Sequence, residues 1–120
     1  MSEHVSWQVE LALKPGQLER FSDLTKEMVE HARAERGVLV YERYLSDDAS
    51  SVVVCERYID SAAAIAHLEA FATKYGARFA SMVERKRFTV FGNPSDDLRS
   101  LLDDFSPTYL RPFQGFCAIG

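Results

Sequence analysis

Two neighbouring stretches, VLVYERYL (38–45) and SVVVCERYI (51–59), restrict what this chain can fold into more than any other part of it. Both are rich in β-branched and aromatic residues, the side chains that suit a pleated, half-buried surface. Between them SDDAS has the short polar chemistry of a hairpin loop. On neither strand is one face polar. Val38, Val40 and Tyr44 alternate with Leu39, Tyr41 and Leu45, and Val52 and Val54 alternate with Val53, Cys55 and Ile59. Strands that are apolar on both faces need cover on both. Helices of the same chain supply one layer, and the sheet of a second copy is the economical source of the other. The pattern therefore predicts a homodimer through sheet faces.

The rest of the chain supplies those helices. Val5, Trp7, Val9, Leu11 and Leu13 alternate with His4, Ser6, Gln8 and Glu10, the two-residue period of a strand. Pro15 and Gly16 then turn the chain into a helix whose stripe runs Leu18, Phe21, Leu24, Met28 and Ala32, ending near Gly37. A second helical region covers about Ser61 to Glu84, with Ile65, Leu68, Phe71, Tyr75, Phe79 and Met82 as its stripe and a break expected at Gly76. RKRFTVFG gives a fourth strand. The order β-α-β-β-α-β is the ferredoxin-like arrangement: an α+β fold with a four-stranded antiparallel sheet and both helices on one face. Residues 1–92 form this unit, and 93–120 form a C-terminal helix and aromatic extension. Ser95 is placed as an N-cap with Asp96 and Asp97 in the first turn. Beyond it, Pro107 and Pro112 require an extended segment with Tyr109, Phe113 and Phe116 as aromatic anchors, read as a strap packed on its own domain or on a partner subunit or, alternatively, as a lid over a pocket.

Charge and composition exclude several classes of function. A formal net charge of −4 argues against nucleic-acid binding, which needs a basic footprint. The third strand also lacks the basic-glycine-aromatic pattern of an RNA-recognition motif, although the element order is shared. No apolar run approaches the ~20 residues of a membrane span, and the first ten residues show no secretory pattern, so a cytoplasmic location is expected. Cys55 and Cys117 are too few and too distant for a disulfide framework, and His4, His31 and His67 lack metal-ligand spacing. No metal and no cofactor is expected.

LKPGQLERFSDLTKEMVEHARAERGVLVYERY resembles the first half of an antibiotic biosynthesis monooxygenase (ABM) domain, in which a strand leads through Pro-Gly into a helix and Glu-x-Gly opens the next strand. VCERYIDSAAAIAHLEAF resembles the second half, with a strand-borne Glu-x-Tyr, a small-residue helix start and Ala-His-Leu. The likeness runs from about Val5 to Phe91. It implies a dimeric α+β barrel, two sheets facing each other with helices outside. Members of that superfamily include cofactor-free quinol or anthrone oxygenases and haem-degrading oxygenases. The haem-degrading pattern uses an Asn on the first strand with a Trp and a His in the second helical region. Here the first strand has no Asn and carries the chain's one tryptophan, Trp7, so haem degradation is set aside.

What the resemblance implies is a cofactor-independent monooxygenase acting on a small aromatic or quinol substrate. Such an enzyme needs a base, donors for a developing phenolate and a dry aromatic pocket. His67 is the candidate base because its ordinary pKa suits neutral pH. Tyr44 and Arg57 are candidate catalytic donors, with Arg43 beside them on the neighbouring strand. Trp7, Tyr41, Tyr75 and Phe79 are candidate substrate-binding rings. Each has a plainer reading. The rings fit a helix and strand core, Arg43 with Glu42 and Arg57 with Glu56 fit ion pairs at the dimer contact, and His67 fits a hydrogen-bonded core residue. The alternative function is accordingly a non-catalytic dimeric small-ligand-binding or assembly module on the same fold. The two differ in whether an apolar cavity opens beside His67.

Overall fold

The structure is a computed structural model that describes residues 3–119; Met1, Ser2 and Gly120, the outermost residues of the two expected units, lie outside the described residues. Strands β1 (Val5–Leu13), β2 (Val38–Leu45), β3 (Ser51–Tyr58) and β4 (Val83–Gly92) are joined by helices α1 (Leu18–Ala34), α2 (Ser61–Lys74) and α3 (Gly76–Met82). The expected break in the second helical region falls at Tyr75, between α2 and α3. A short helix α4 (Asp96–Leu102), a 3-10 turn (Asp103–Phe105) and a three-residue strand β5 (Thr108–Leu110) follow.

The sheet order is β2-β3-β1-β4-β5, so the expected four-stranded antiparallel sheet is corrected to a five-stranded mixed one. β5 runs parallel to β4, with Thr89, Val90 and Phe91 beside Thr108, Tyr109 and Leu110. Physically, Pro107 and Pro112 remove two N–H donors but leave the three residues Thr108, Tyr109 and Leu110 free to bond along the otherwise open edge of β4. The return through α4 makes that pairing parallel, as a crossover does.

Local choices follow the sequence closely. α1 buries Phe21, Leu24, Met28 and Ala32, while Leu18 at its first turn is exposed. Asp60 caps α2 by accepting the Ala63 N–H at 2.9 Å, and Ser95 caps α4 by accepting the Leu98 N–H at 3.2 Å. Gly37 adopts φ +85°, and a Cβ there would stand 2.7 Å from that of Ala63. That contact brings the start of β2 against the first turn of α2.

Helix-side residues form two buried clusters. One gathers Val5, Trp7, Tyr58, Phe88, Val90, Leu98 and Leu102; the other gathers Leu11, Phe21, Leu24, Met28, Val52, Val54 and Met82. Two register shifts adjust which side chains reach this layer. In β2 an extra residue falls at Leu39, so Tyr41 and Arg43 pair with Glu56 and Val54 and share their face. In β4 an extra residue at Lys86 sets Arg85 opposite Leu11. Bulges of this kind re-aim side chains next to binding sites.

Candidate functional site

Between the two clusters, α2, α3 and the 3-10 turn stand off the sheet and leave a cleft of about 660 Å³. That lies within the range of ~300–1,000 Å³ usual for small-molecule sites. Its walls are mainly apolar, with Leu68, Phe71, Phe79 and Ala80 from the helices and Trp7, Val9 and Phe88 from the sheet. Glu69, Arg85 and Asp104 also line it, and three of its polar groups, His67, Glu56 and Arg43, meet in one place.

His67 lies on the buried stripe of α2 with Ala64. Its Nδ1 is 2.9 Å from Glu35 Oε1, and its Nε2 is 3.7 Å from Glu56 Oε1. A carboxylate only accepts, so the short contact assigns the proton to Nδ1. The Nε2 distance exceeds a hydrogen bond, which leaves that nitrogen unengaged. Glu35 occupies the C-cap of α1 in extended conformation, two residues before the tight turn at Gly37. The helix end and the glycine together hold its carboxylate over α2.

Glu56 is the most heavily partnered group of the site. Its Oε2 accepts from Arg43 Nη2 at 2.9 Å, and its Oε1 accepts from Trp7 Nε1 at 3.1 Å and from the Tyr58 hydroxyl. Residue 56 is only 7% exposed, so a charge there is tolerable only with donors on both oxygens. The Arg43 guanidinium in turn stacks 3.6 Å over the Tyr41 ring. Tyr41 and Tyr58 both pack on the imidazole of His67. Burial first, and the Glu56 charge second, raise both phenols above their ordinary range. Both stay protonated, and Tyr58 donates to Glu56. Both Glu56 oxygens are engaged by donors, whereas His67 Nε2 lies at the head of the cleft without a hydrogen bond among the described residues.

The sequence-predicted residues divide between two places. His67, Trp7 and Phe79 line the cleft. Tyr41 backs His67 from the sheet side, edge-on at 5.2 Å between centroids, without lining the cleft. Tyr75 packs beside the Leu11–Phe21 cluster and against His31. Tyr44 and Arg57 point to the opposite, uncovered face of the sheet. Tyr44 is 54% exposed and donates to Glu42, whose bond raises the phenol's pKa. Arg57 donates through Nε to His4 Nδ1 at 2.9 Å. Its expected ion pair with Glu56 is replaced by Arg43, because Glu56 and Arg57 face opposite ways on one strand. Glu35 and Glu56 were not among the residues singled out as candidates. The signal for Glu56 was its phase: it alternates with Val52, Val54 and Tyr58, and a carboxylate in a buried row must be paired. Among the described residues, no group of three or more His, Cys, Asp or Glu could hold a metal ion.

The family model described as antibiotic biosynthesis monooxygenase matches residues 5–75, and the chain belongs to that family. No curated protein matches the chain by sequence. Among solved structures, that of MupZ from Pseudomonas fluorescens is similar at a TM-score of 0.87 and 22% identity, covering 98% of this chain and 91% of that one. Rv0793 from Mycobacterium tuberculosis is similar at 0.66 and 24% identity, covering 78% of this chain and 97% of its own. A variant of SnoaB, a cofactor-independent oxygenase from Streptomyces nogalater, is similar at 0.66 and 12% identity, covering 78% and 96%. At these identities the likeness is one of fold. The MupZ fold extends over nearly the whole chain, C-terminal segment included, whereas the other two leave about a fifth of it unmatched.

Proposed function

We propose that the protein is a cofactor-independent monooxygenase acting on a small aromatic or quinol-type substrate held in the cleft. The observation that carries this reading is the placement of His67: Nδ1 fixed on Glu35, Nε2 free, at the polar end of an apolar cavity. In this scheme His67 Nε2 removes a proton from an activated ring carbon or hydroxyl. The resulting anion is electron-rich enough to reduce O₂ itself. One oxygen atom remains on the substrate carbon, and the other leaves as water with two hydrogens of the substrate: both from that carbon in an anthrone, one from the carbon and one from the ring hydroxyls in a quinol. Glu35 orients the imidazole and stabilises its protonated form, as the carboxylate of a catalytic triad does. Trp7, Phe79 and Phe88 hold the ring, and the site excludes water around it. Family membership and the fold shared with SnoaB, which is described as a cofactor-independent oxygenase, support the reaction class.

The same reading includes a homodimer through the uncovered sheet face. There Val53, Cys55 and Phe91 are only half-buried although they lie in the middle of the sheet, and Tyr44 is exposed. Tyr44 and Arg57 belong to that contact in this proposal. The competing function, a binding or assembly module, keeps the cleft and the dimer but assigns His67 to architecture.

Oxygen uptake over a panel of hydroquinones, catechols and anthrones distinguishes the two. The expected result is uptake above the autoxidation blank that falls by about 100-fold or more in His67→Ala, the scale of a lost general base. Uptake unchanged in His67→Ala, with the fold intact by circular dichroism, would remove His67 as the base and favour the binding module.

A further inference from the structure

We infer that residues 111–119 form an arm that docks on a second copy of this chain, along the free edge of its β2. Leu110, Phe113, Phe116 and Ile119 recur at three-residue intervals, the spacing that aligns side chains on one side of an extended, polyproline-type segment. None of them is buried by its own chain: their exposures are 48%, 88%, 96% and 47%. Two phenylalanine rings left almost wholly in water within one short segment form a contiguous apolar surface of the kind that marks an interaction site.

Charge and sheet geometry identify the occupant. Beyond Asp104 the only charged side chain is Arg111, so with its +1 set aside the rest of a chain of net −4 carries −5. An apolar arm with one positive charge suits an acidic partner, and this chain is one. The arm leaves from β5, at one edge of the sheet, while β2 at the other edge has no outer neighbour among the described residues. β2 also displays Tyr44 and Leu45, 54% and 51% exposed. When two such sheets face each other about a two-fold axis parallel to the strands, each β5 edge lies over the partner's β2 edge. Both arms then make the same contact, as an isologous dimer requires. Each unpaired edge is covered, which removes the hazard of an open strand.

This inference rests on the paired-sheet homodimer proposed above and is tested in two measurements on the full chain. Sedimentation velocity of Phe113→Ser/Phe116→Ser is expected to show a dimer dissociation constant raised by about 100-fold or more, since two aromatic anchors are lost. At concentrations where both proteins are monomeric the thermal transition should not move, because both rings are almost wholly exposed on their own chain. In a Cys55→Ala background, Leu45→Cys is expected to couple to the native Cys117 through a short bis-maleimide, giving a covalent dimer that Cys117→Ser abolishes. A dimer of unchanged affinity overturns the arm while leaving the facing sheets intact. A weakened dimer without the cross-link overturns β2 as the docking edge. A monomer at every concentration overturns both the arm and the paired sheets.

Discussion

Strand β3 presents two rows of side chains that begin alike and end differently. On the helix side Val52 and Val54 lead to Glu56 and Tyr58; on the open side Val53 and Cys55 lead to Arg57. Each row carries one charged residue. Glu56 meets Arg43, Trp7 and Tyr58, with His67 just beyond hydrogen-bond reach, whereas Arg57 meets His4 alone. The covering layer makes the difference. Helix α2 and the α1–β2 turn bring a histidine and a second carboxylate over Glu56, and they exclude water around them. Beneath Arg57 no described residue of the same chain does so. In this fold a strand-borne charge becomes part of a site only where the layer above it supplies several partners at once.

The largest expected effect breaks the helix-side network. Arg43→Ala leaves Glu56 buried without its counter-charge, and removal of one member of a buried pair typically costs about 3–5 kcal/mol. Arg43→Met together with Glu56→Leu removes both charges and should cost far less. Arg43 Nε is itself buried without a hydrogen-bond partner among the described residues, so the double variant takes away an unsatisfied donor as well. Urea unfolding of the three proteins measures the comparison. If the single variant were as stable as the double, Arg43 would not be the counter-charge that the buried Glu56 carboxylate requires.

Gly37→Ala comes next. The residue sits at φ +85°, and the added methyl would press on Ala63 and Ile59 at 2.7 and 2.9 Å. A left-handed conformation alone costs about 1–2 kcal/mol for a residue with a Cβ, and the contact adds to it. The same shift moves Glu35, two residues upstream, relative to His67. The expected outcome is a loss of about 2 kcal/mol or more by urea unfolding, with a change in the His67 ring nitrogen shifts by NMR. Stability lost with those resonances unmoved would separate the turn from the site.

Much of this architecture was readable from the residues. Alternation located β1, β-branched and aromatic richness around a polar loop located the hairpin, three-and-four spacing located α1 and the second helical region, and Gly76 marked its break. β5 was not readable as a strand, since three residues between prolines contain no period to detect. The site divided in the same way. His67 stood out because a histidine among alanines on a helix is conspicuous. Tyr44 was misplaced for a physical reason: it shares its sequence parity with Val38, but the extra residue at Leu39 reverses the faces, and Tyr41 and Arg43 take the helix side. A bulge inside an apolar run leaves no mark in composition. Glu35 was hidden differently, because a residue at a helix end reveals its neighbour only once the helices are packed.

The open side supplies the matching control. Arg57→Ala removes one hydrogen bond, to His4, at a part-buried position. The expected cost is about 1 kcal/mol by urea unfolding, several-fold below that of Arg43→Ala. Equal costs for the two arginines would erase the distinction between the faces on which the assignment of the site depends.

The smallest effect lies where the two rows of the hairpin take their register. Asp48 Oδ1 accepts from Ser50 Oγ at 2.7 Å, Ser46 Oγ at 2.8 Å and the Ser50 N–H at 3.0 Å. Led by the Ser50 hydroxyl, these bonds lower its pKa from the ordinary 3.8 to about 2. A folded-state pKa below the unfolded value means stability that is present above pH ~4 and lost as pH falls toward about 2. Asp48→Ala should therefore remove a small part of the acid dependence of the unfolding midpoint between those limits and lower neutral stability by the same small amount, small because the carboxylate is fully exposed. An acid limb that is identical in the variant would assign the whole transition to other carboxylates. It would also show that the turn follows the register of β2 and β3 rather than helping to set it.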